Sequence, residues 1–315
     1  MATKNSPKLR ESIISYVFLA PFLTIFLIFL GYSVIYSFYL SLRTTTFSTD
    51  WYRIFASMEY SGLANYRELL FHDSRFWWSL ALTLCYALLT VPTSIALGLW
   101  LAILLNNKLR GTTFFRSAFY LPNVLDLYVV GTIWVLILSP NYGLLDILLN
   151  KIRIHLPESG LLASPYTALP IIALVVVIKG AGFGMILFLS AIQNISESIY
   201  EAADIDGASW GQKLRYITLP LLKPVILFMI ITGTMSALNA FTEVYVMATS
   251  KYGGFGGPYI QLHGESLGST SLSGLYLYQL FERAEYGKAA AFSYLLMTIA
   301  LIISYINAKL LKVEQ

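Results

Sequence analysis

Three ionisable side chains sit where this chain can least accommodate them. Asp126, Lys179 and Glu243 each fall inside an apolar run long enough to cross a bilayer. A charge at mid-bilayer costs ~3 kcal/mol even on the lenient insertion scale, so such groups face a bundle interior or a wet cavity. Either they line a polar path, or each lies near a helix end where it snorkels or pairs with another, as Lys179 would with Asp126. Glu243 carries the first alternative furthest. It stands in Asn239-Ala240-Phe241-Thr242-Glu243-Val244-Tyr245, where polar groups are interleaved with aromatic rings. That mixture suits a sugar, whose hydroxyls take donors and acceptors and whose C–H faces stack on rings. Asn239, Glu243, Tyr245, Asp126 and Lys179 are therefore the candidate pathway residues.

Other chemistries find no support. No His lies where a triad could gather inside a membrane, so no catalytic residues and no enzymatic activity are expected. His72, His155 and His263 are scattered without ligand partners at short spacing, and the one cysteine, Cys85, lies within an apolar run. Neither a metal site nor a disulfide is expected from them. Gly180-Ala181-Gly182-Phe183-Gly184 has glycines spaced by two, but no strand precedes it and it is embedded in an apolar run. Close helix packing explains it better than a phosphate loop. The net charge of +4 is modest and forms no basic stripe, which argues against nucleic-acid binding.

The most polar stretch is 194–224, with Glu197, Glu201, Asp204, Asp206, Lys213, Arg215 and Lys223 in a protein that is only 12% charged. It must project into water. Ser198 with Glu201, and Ser209 with Gln212, each have the spacing of a capping box and predict two short helices. Gly207 supplies the left-handed turn between them, and Pro220 is expected to stop the second near Leu219. Ile199, Ala202 and Ala203 form a small smooth face on the first helix, which at ~14 Å is too short to be stable alone.

Glu201-Ala202-Ala203, Asp206-Gly207-Ala208 and Ile217-Thr218-Leu219-Pro220 together resemble the EAA loop of permease subunits in binding-protein-dependent ABC importers, the sugar-importer permeases most of all. Gly62-Leu63-Ala64-Asn65-Tyr66, Leu104-Leu105-Asn106, Phe114-Phe115-Arg116, Ser139-Pro140-Asn141-Tyr142-Gly143-Leu144 and Gly256-Gly257-Pro258 are similar to segments of the same family. The resemblance implies a cytoplasmic loop docking on an ATP-hydrolysing subunit. Glu201 would be a docking contact, Ala202 and Ala203 the surface fitting a cleft, with Asp206 beside them and Gly207 fixing the angle. It further implies a second permease subunit, two ATP-binding subunits that hold the ATP and Mg, and an extracytoplasmic solute-binding protein; no cofactor is expected in this chain itself. The rival for the stretch is an amphipathic helix lying on the membrane, which the flanking acids oppose.

The elements that must position these groups are membrane spans. Hydrophobic residues make up 57% of the chain, and apolar runs of ~20 residues or more recur along it. The expected fold is an all-α membrane protein with six transmembrane helices, at roughly 15–42, 77–104, 117–138, 166–192, 221–248 and 287–309, and the two-helix loop between the fourth and fifth. Pro21 is placed near the start of the first span, and Trp77 and Trp78 read as interface anchors of the second. The first run is too long for a signal-peptide core and reads as a retained span. The expected layout is a cytoplasmic N-terminus over 1–14, a permease domain over 15–312 and a tail over 313–315. Lys4, Lys8, Arg10, Lys108, Arg110, Arg116, Lys309 and Lys312 put both termini and the polar loop in the cytoplasm of an inner-membrane protein. The rival function is an ion-coupled carrier using Asp126, Lys179 and Glu243, although no internal repeat supports it.

Overall fold

The computed structural model describes residues 6–46, 50–106, 111–153, 157, 159–249, 257–262 and 264–310. Lys4, Asn107, Lys108, Leu109, Arg110, His155, Gly256, His263, Lys312 and the tail 313–315 lie outside them.

The helices run in the order α1 (Ser6–Phe26), α2 (Tyr32–Ser41), α3 (Ile54–Ser57), α4 (Ala64–Phe71), α5 (Ser74–Asn106), α6 (Thr112–Val124), α7 (Leu127–Ile137), α8 (Leu144–Lys151), α9 (Ala168–Gln193), α10 (Glu197–Ile205), α11 (Trp210–Lys213), α12 (Leu219–Leu221), α13 (Lys223–Leu238), α14 (Thr242–Val244), α15 (Ser273–Glu282) and α16 (Tyr286–Leu310). Two antiparallel hairpins interrupt them, β1 (Arg43–Thr44) with β2 (Glu59–Tyr60) and β3 (Tyr259–Leu262) with β4 (Glu265–Gly268). The all-α expectation is corrected to that extent: both hairpins fall in the long polar connections, where hydropathy marks no element.

Among the described residues, four helices are long and apolar enough to cross a membrane, over Ile14–Ser41, Ser74–Asn106, Ala168–Gln193 and Tyr286–Asn307. Two further stretches pass only as bent pairs, Thr112–Val124 with Leu127–Ile137 at 100° and Trp210–Leu221 with Lys223–Leu238 at 63°. The expected third span is thus broken rather than straight, and the expected fifth is bent from the polar loop at its start and interrupted again between Leu238 and Thr242. At the first break Leu125 and Asp126 are extended, and the Asp126 carboxylate accepts from the Tyr128 N–H at 2.8 Å, starting α7 afresh. Backbone freed in this way is tolerated at membrane depth only where protein or a wet cavity satisfies it.

Proline placement also needs correction. Pro21 lies inside α1, because the polar residues from Ser6 onward are already helical; the edge of an apolar run marks the membrane, not the helix start. Pro220 does not end the second loop helix near Leu219. A wider π turn over Leu214–Thr218 precedes it, and the chain stays helical through Leu221. An i→i+5 turn relieves the clash that proline makes with a regular preceding turn.

Two compact units divide the chain, one formed by Met1–His72 with Leu280–Leu295, the other by Asp73–Gln279 with Leu296–Gln315. In the first, buried Asn65 donates to the Ser41 and Arg43 carbonyls at 2.9 and 2.8 Å and so fixes where α2 gives way to β1. Tyr66 meets the Ser41 hydroxyl at 2.8 Å, and Lys288 bridges Glu68 and Glu285 at 2.7 and 2.9 Å.

In the second unit α5, α9 and α13 pack lengthwise, with α6 against α9. The glycines permit this: a Cβ on Gly98 would stand 3.0 Å from the Gly184 backbone, and one on Gly182 would collide with the Phe119 carbonyl. The packing account of the 180–184 stretch holds for Gly182 and Gly184, but Gly180 has nothing within 4 Å. Trp78 is not a free interface anchor either. Its indole N–H donates to the Gly268 carbonyl at 2.8 Å, holding β4; Trp77 alone stays exposed.

Candidate functional site

The second unit holds a half-open cavity of about 270 Å³ between α5, α9, α13 and α14. Its polar lining comes from hydroxyls at helical spacing: Tyr86, Thr90 and Ser94 on α5, and Thr232 with Ser236 on α13. Residues four apart share a helix face, so each row presents one polar stripe inward. Gly180 and Gly233 leave room, and Phe183 and Met229 supply apolar wall. Thr90 and Thr232 also bond their own helix backbones, to the Tyr86 and Phe228 carbonyls at 2.8 and 2.7 Å.

Glu243 is the ionisable carboxylate of this lining and is 7% exposed. The chain leaves α13 at Asn239 and restarts at Thr242, so the carboxylate sits in the first turn of α14. It accepts from the Tyr86 hydroxyl at 3.0 Å.

The other sequence-derived candidates do not converge on it. Asp126 is exposed and caps α7; it forms no ion pair with Lys179, whose ammonium donates to the Asn123 carbonyl at 3.4 Å. Lys179 does lie close enough to Glu243 to attract it electrostatically. Asn239 is exposed and bonds the Met235 carbonyl at 2.9 Å. Tyr245 packs with Phe241 and Tyr278, ring centroids 5.2 and 5.6 Å away, and Phe241 and Tyr278 are 5.0 Å apart. Tyr86, Thr90, Ser94, Thr232 and Ser236 were missed, although their four-residue spacing inside apolar runs was a legible signal. Among the described residues no group of His, Cys, Asp or Glu could hold a metal ion.

The polar stretch 194–224 forms a second site. Its first helix, α10, is nine residues long, but the Ser198–Glu201 capping box does not form: Ser196 is the cap position and its hydroxyl meets that of Ser198 at 2.8 Å. The helix begins two residues earlier, which puts Glu197 in its first turn, where an acid favours the positive end of the dipole. The Ser209–Gln212 box is present, with the Ser209 N–H donating to Gln212 at 2.7 Å. Gly207 has φ +74°, the Gly207 N–H bonds the Asp204 carbonyl at 3.1 Å and the Ala208 N–H that of Ala203 at 2.9 Å. This is a Schellman ending, in which a left-handed residue satisfies the last carbonyls.

Ala203 is 9% exposed, so it packs within this chain and cannot join Ala202 on an outward face. The sequence reading of a smooth Ala202–Ala203 docking surface is corrected on this point. The outward face is Glu201 and Ala202 with Ile205, which is 88% exposed. Lys213 pairs with Asp204 at 2.6 Å and ties α10 to α11.

A bundle of apolar helices with a hydroxyl-lined cavity between them and a polar two-helix loop joining two of its spans defines a multi-pass membrane permease. The chain belongs to the family of binding-protein-dependent transport system inner membrane components, whose pattern matches residues 94–310. It is 33% identical over 313 residues to the lactose transport system permease protein LacF of Rhizobium radiobacter, covering 98% of this chain and 97% of that one. It is 31% identical over 299 residues to the trehalose/maltose transport system permease protein MalF of Thermococcus litoralis, covering 95% and 92%. Its fold is similar, at TM-score 0.80 and 22% identity over 97% of this chain and 96% of the other, to a chain of a bacterial alginate ABC transporter solved with an alginate pentasaccharide-bound periplasmic protein.

Proposed function

We propose that this chain is one permease subunit of an ATP-driven, binding-protein-dependent importer that passes a sugar or oligosaccharide across the cytoplasmic membrane. The observation that carries the substrate class is the pair of hydroxyl rows, Tyr86-Thr90-Ser94 and Thr232-Ser236, sharing one cavity with Glu243. Relatives named for lactose and for trehalose and maltose support it.

In this reading Thr112–Val124 with Leu127–Ile137 counts as one span and Lys223–Leu238 as another, giving six, with both termini and the 194–224 loop in the cytoplasm. The permease domain runs over 15–312, with 1–14 and 313–315 flanking it. Two ATPase subunits, which alone hold ATP and Mg, dock on the loop. Glu201 and Ala202 make the contact together with Ile205, Gly207 sets the angle with Asp206 beside it, and Ala203 seats the helix on the rest of the chain. A second permease subunit completes the bundle, and an extracytoplasmic binding protein delivers the sugar. Closure of the ATPase pair pulls α10 and rocks the spans between inward- and outward-open. An ion-coupled carrier has no comparable support, since Asp126 is engaged in capping α7 and stands outside the cavity lining.

The test is to purify the assembled complex and screen which binding-protein-delivered sugar stimulates ATP hydrolysis. Stimulation by at least one sugar is expected. Uptake by this chain alone, driven by an ion gradient, would overturn the proposal.

A further inference from the structure

The charge of the cavity lining says more about the solute than its hydroxyls do. Glu243 contributes a carboxylate, and no Lys, Arg or His stands among the lining residues. Lys179, the cation nearest in sequence to the lining, directs its ammonium at the Asn123 carbonyl and reaches Glu243 only as a background field. The Tyr86 hydroxyl is spent as a donor to Glu243. Thr90 and Thr232 donate to their own helices. What remains for a solute is mostly acceptor oxygen: the lone pairs of Tyr86, Thr90 and Thr232, with Ser94 and Ser236 able to act either way.

Resting on the sugar-permease reading, we propose that this cavity discriminates by charge: it accepts an uncharged, polyhydroxylated sugar that donates to its oxygens and rejects uronic acids, with Glu243 as the residue that sets this selectivity. A uronate carboxylate would meet the Glu243 carboxyl oxygens and too few free donors. A neutral sugar carries a hydroxyl on nearly every ring carbon and meets the acceptors with its protons.

The test is calorimetric binding to the purified complex without binding protein, using neutral disaccharides (lactose, maltose, trehalose) against dimannuronate and digalacturonate. At least one neutral disaccharide is expected to bind about tenfold or more tightly than either uronate, and Glu243→Gln should narrow that gap by about tenfold. Uronate binding as tight as the neutral sugars would overturn the inference. So would a gap unchanged in an intact Glu243→Gln complex. Should that variant not assemble, the wild-type ratio still decides. If uronates bind well while a delivered sugar stimulates ATP hydrolysis, the inference alone falls. If no disaccharide binds and no delivered sugar stimulates hydrolysis, the sugar reading falls, and the inference with it.

Discussion

The Tyr86 hydroxyl donates to the Glu243 carboxylate at 3.0 Å, joining the middle of α5 to the restart of the broken fifth span 157 residues later. Tyr86 is 1% exposed and Glu243 7%, so neither can exchange its partner for bulk water. Stranding one end of a buried hydrogen bond costs ~1–3 kcal/mol. Tyr86→Phe should therefore destabilise the purified protein by ~1–3 kcal/mol in detergent unfolding. A cycle with Glu243→Gln should show a coupling of ~1 kcal/mol or more; additive single effects would show that the two groups do not depend on each other.

Gly182 and Gly180 should part company. A Cβ at Gly182 runs into the Phe119 backbone of α6, which cannot give way as a side chain can, whereas Gly180 faces open cavity. Gly182→Ala is expected to lose ~1–3 kcal/mol and much of its folded yield, while Gly180→Ala folds normally. Equal thermal stability of the two variants would count against the α6–α9 packing described here.

Gly207 and Gly211 form a similar contrast in the loop. Gly207 sits at φ +74°, where a side chain is strained by ~1–2 kcal/mol, and Gly211 has neither a positive φ nor a neighbour within 4 Å. Gly207→Val should abolish ATP-driven uptake in proteoliposomes while the protein remains in the membrane; Gly211→Ala should transport at a rate close to wild type. Normal uptake by Gly207→Val would remove the loop from the coupling route.

The Asp204–Lys213 pair, though only 2.6 Å long, should matter little. The Asp204 side chain is 63% exposed, and surface pairs contribute ~0–1 kcal/mol. Asp204→Ala is expected to shift unfolding by less than ~1 kcal/mol. Ile205→Asp, on the exposed face of the same helix, should instead cut the stimulated ATPase rate without changing the unfolding of the isolated chain. A large stability loss in Asp204→Ala would mean that the pair holds the loop together.

The candidate site was only partly legible in the sequence. Glu243 is conspicuous as a charge in an apolar run, whereas the hydroxyls around it show only as a four-residue spacing, since Thr and Ser cost little in a helix that can accept their protons at the preceding turn. Asp126 was conspicuous for the same reason as Glu243 and turned out to cap a helix. Hydropathy cannot separate the two, because both interrupt an apolar stretch equally. In the loop, the spacing of Ser209 and Gln212 sufficed for a local cap, whereas Ala203 could not be told from Ala202 until the neighbouring chain was in place.

Composition and order along the chain determined by themselves that this is a polytopic membrane protein with a polar loop turned at Gly207, because bilayer thickness sets the length of an apolar helix and a left-handed turn favours glycine; the permease class came from the resemblance of that loop to a known family. The three-dimensional packing alone decided where the spans break, which face of α10 points outward, and that Tyr86 and Glu243 meet in one cavity. Those outcomes depend on contacts between residues far apart in sequence, and a one-dimensional pattern holds no record of which helix faces come together.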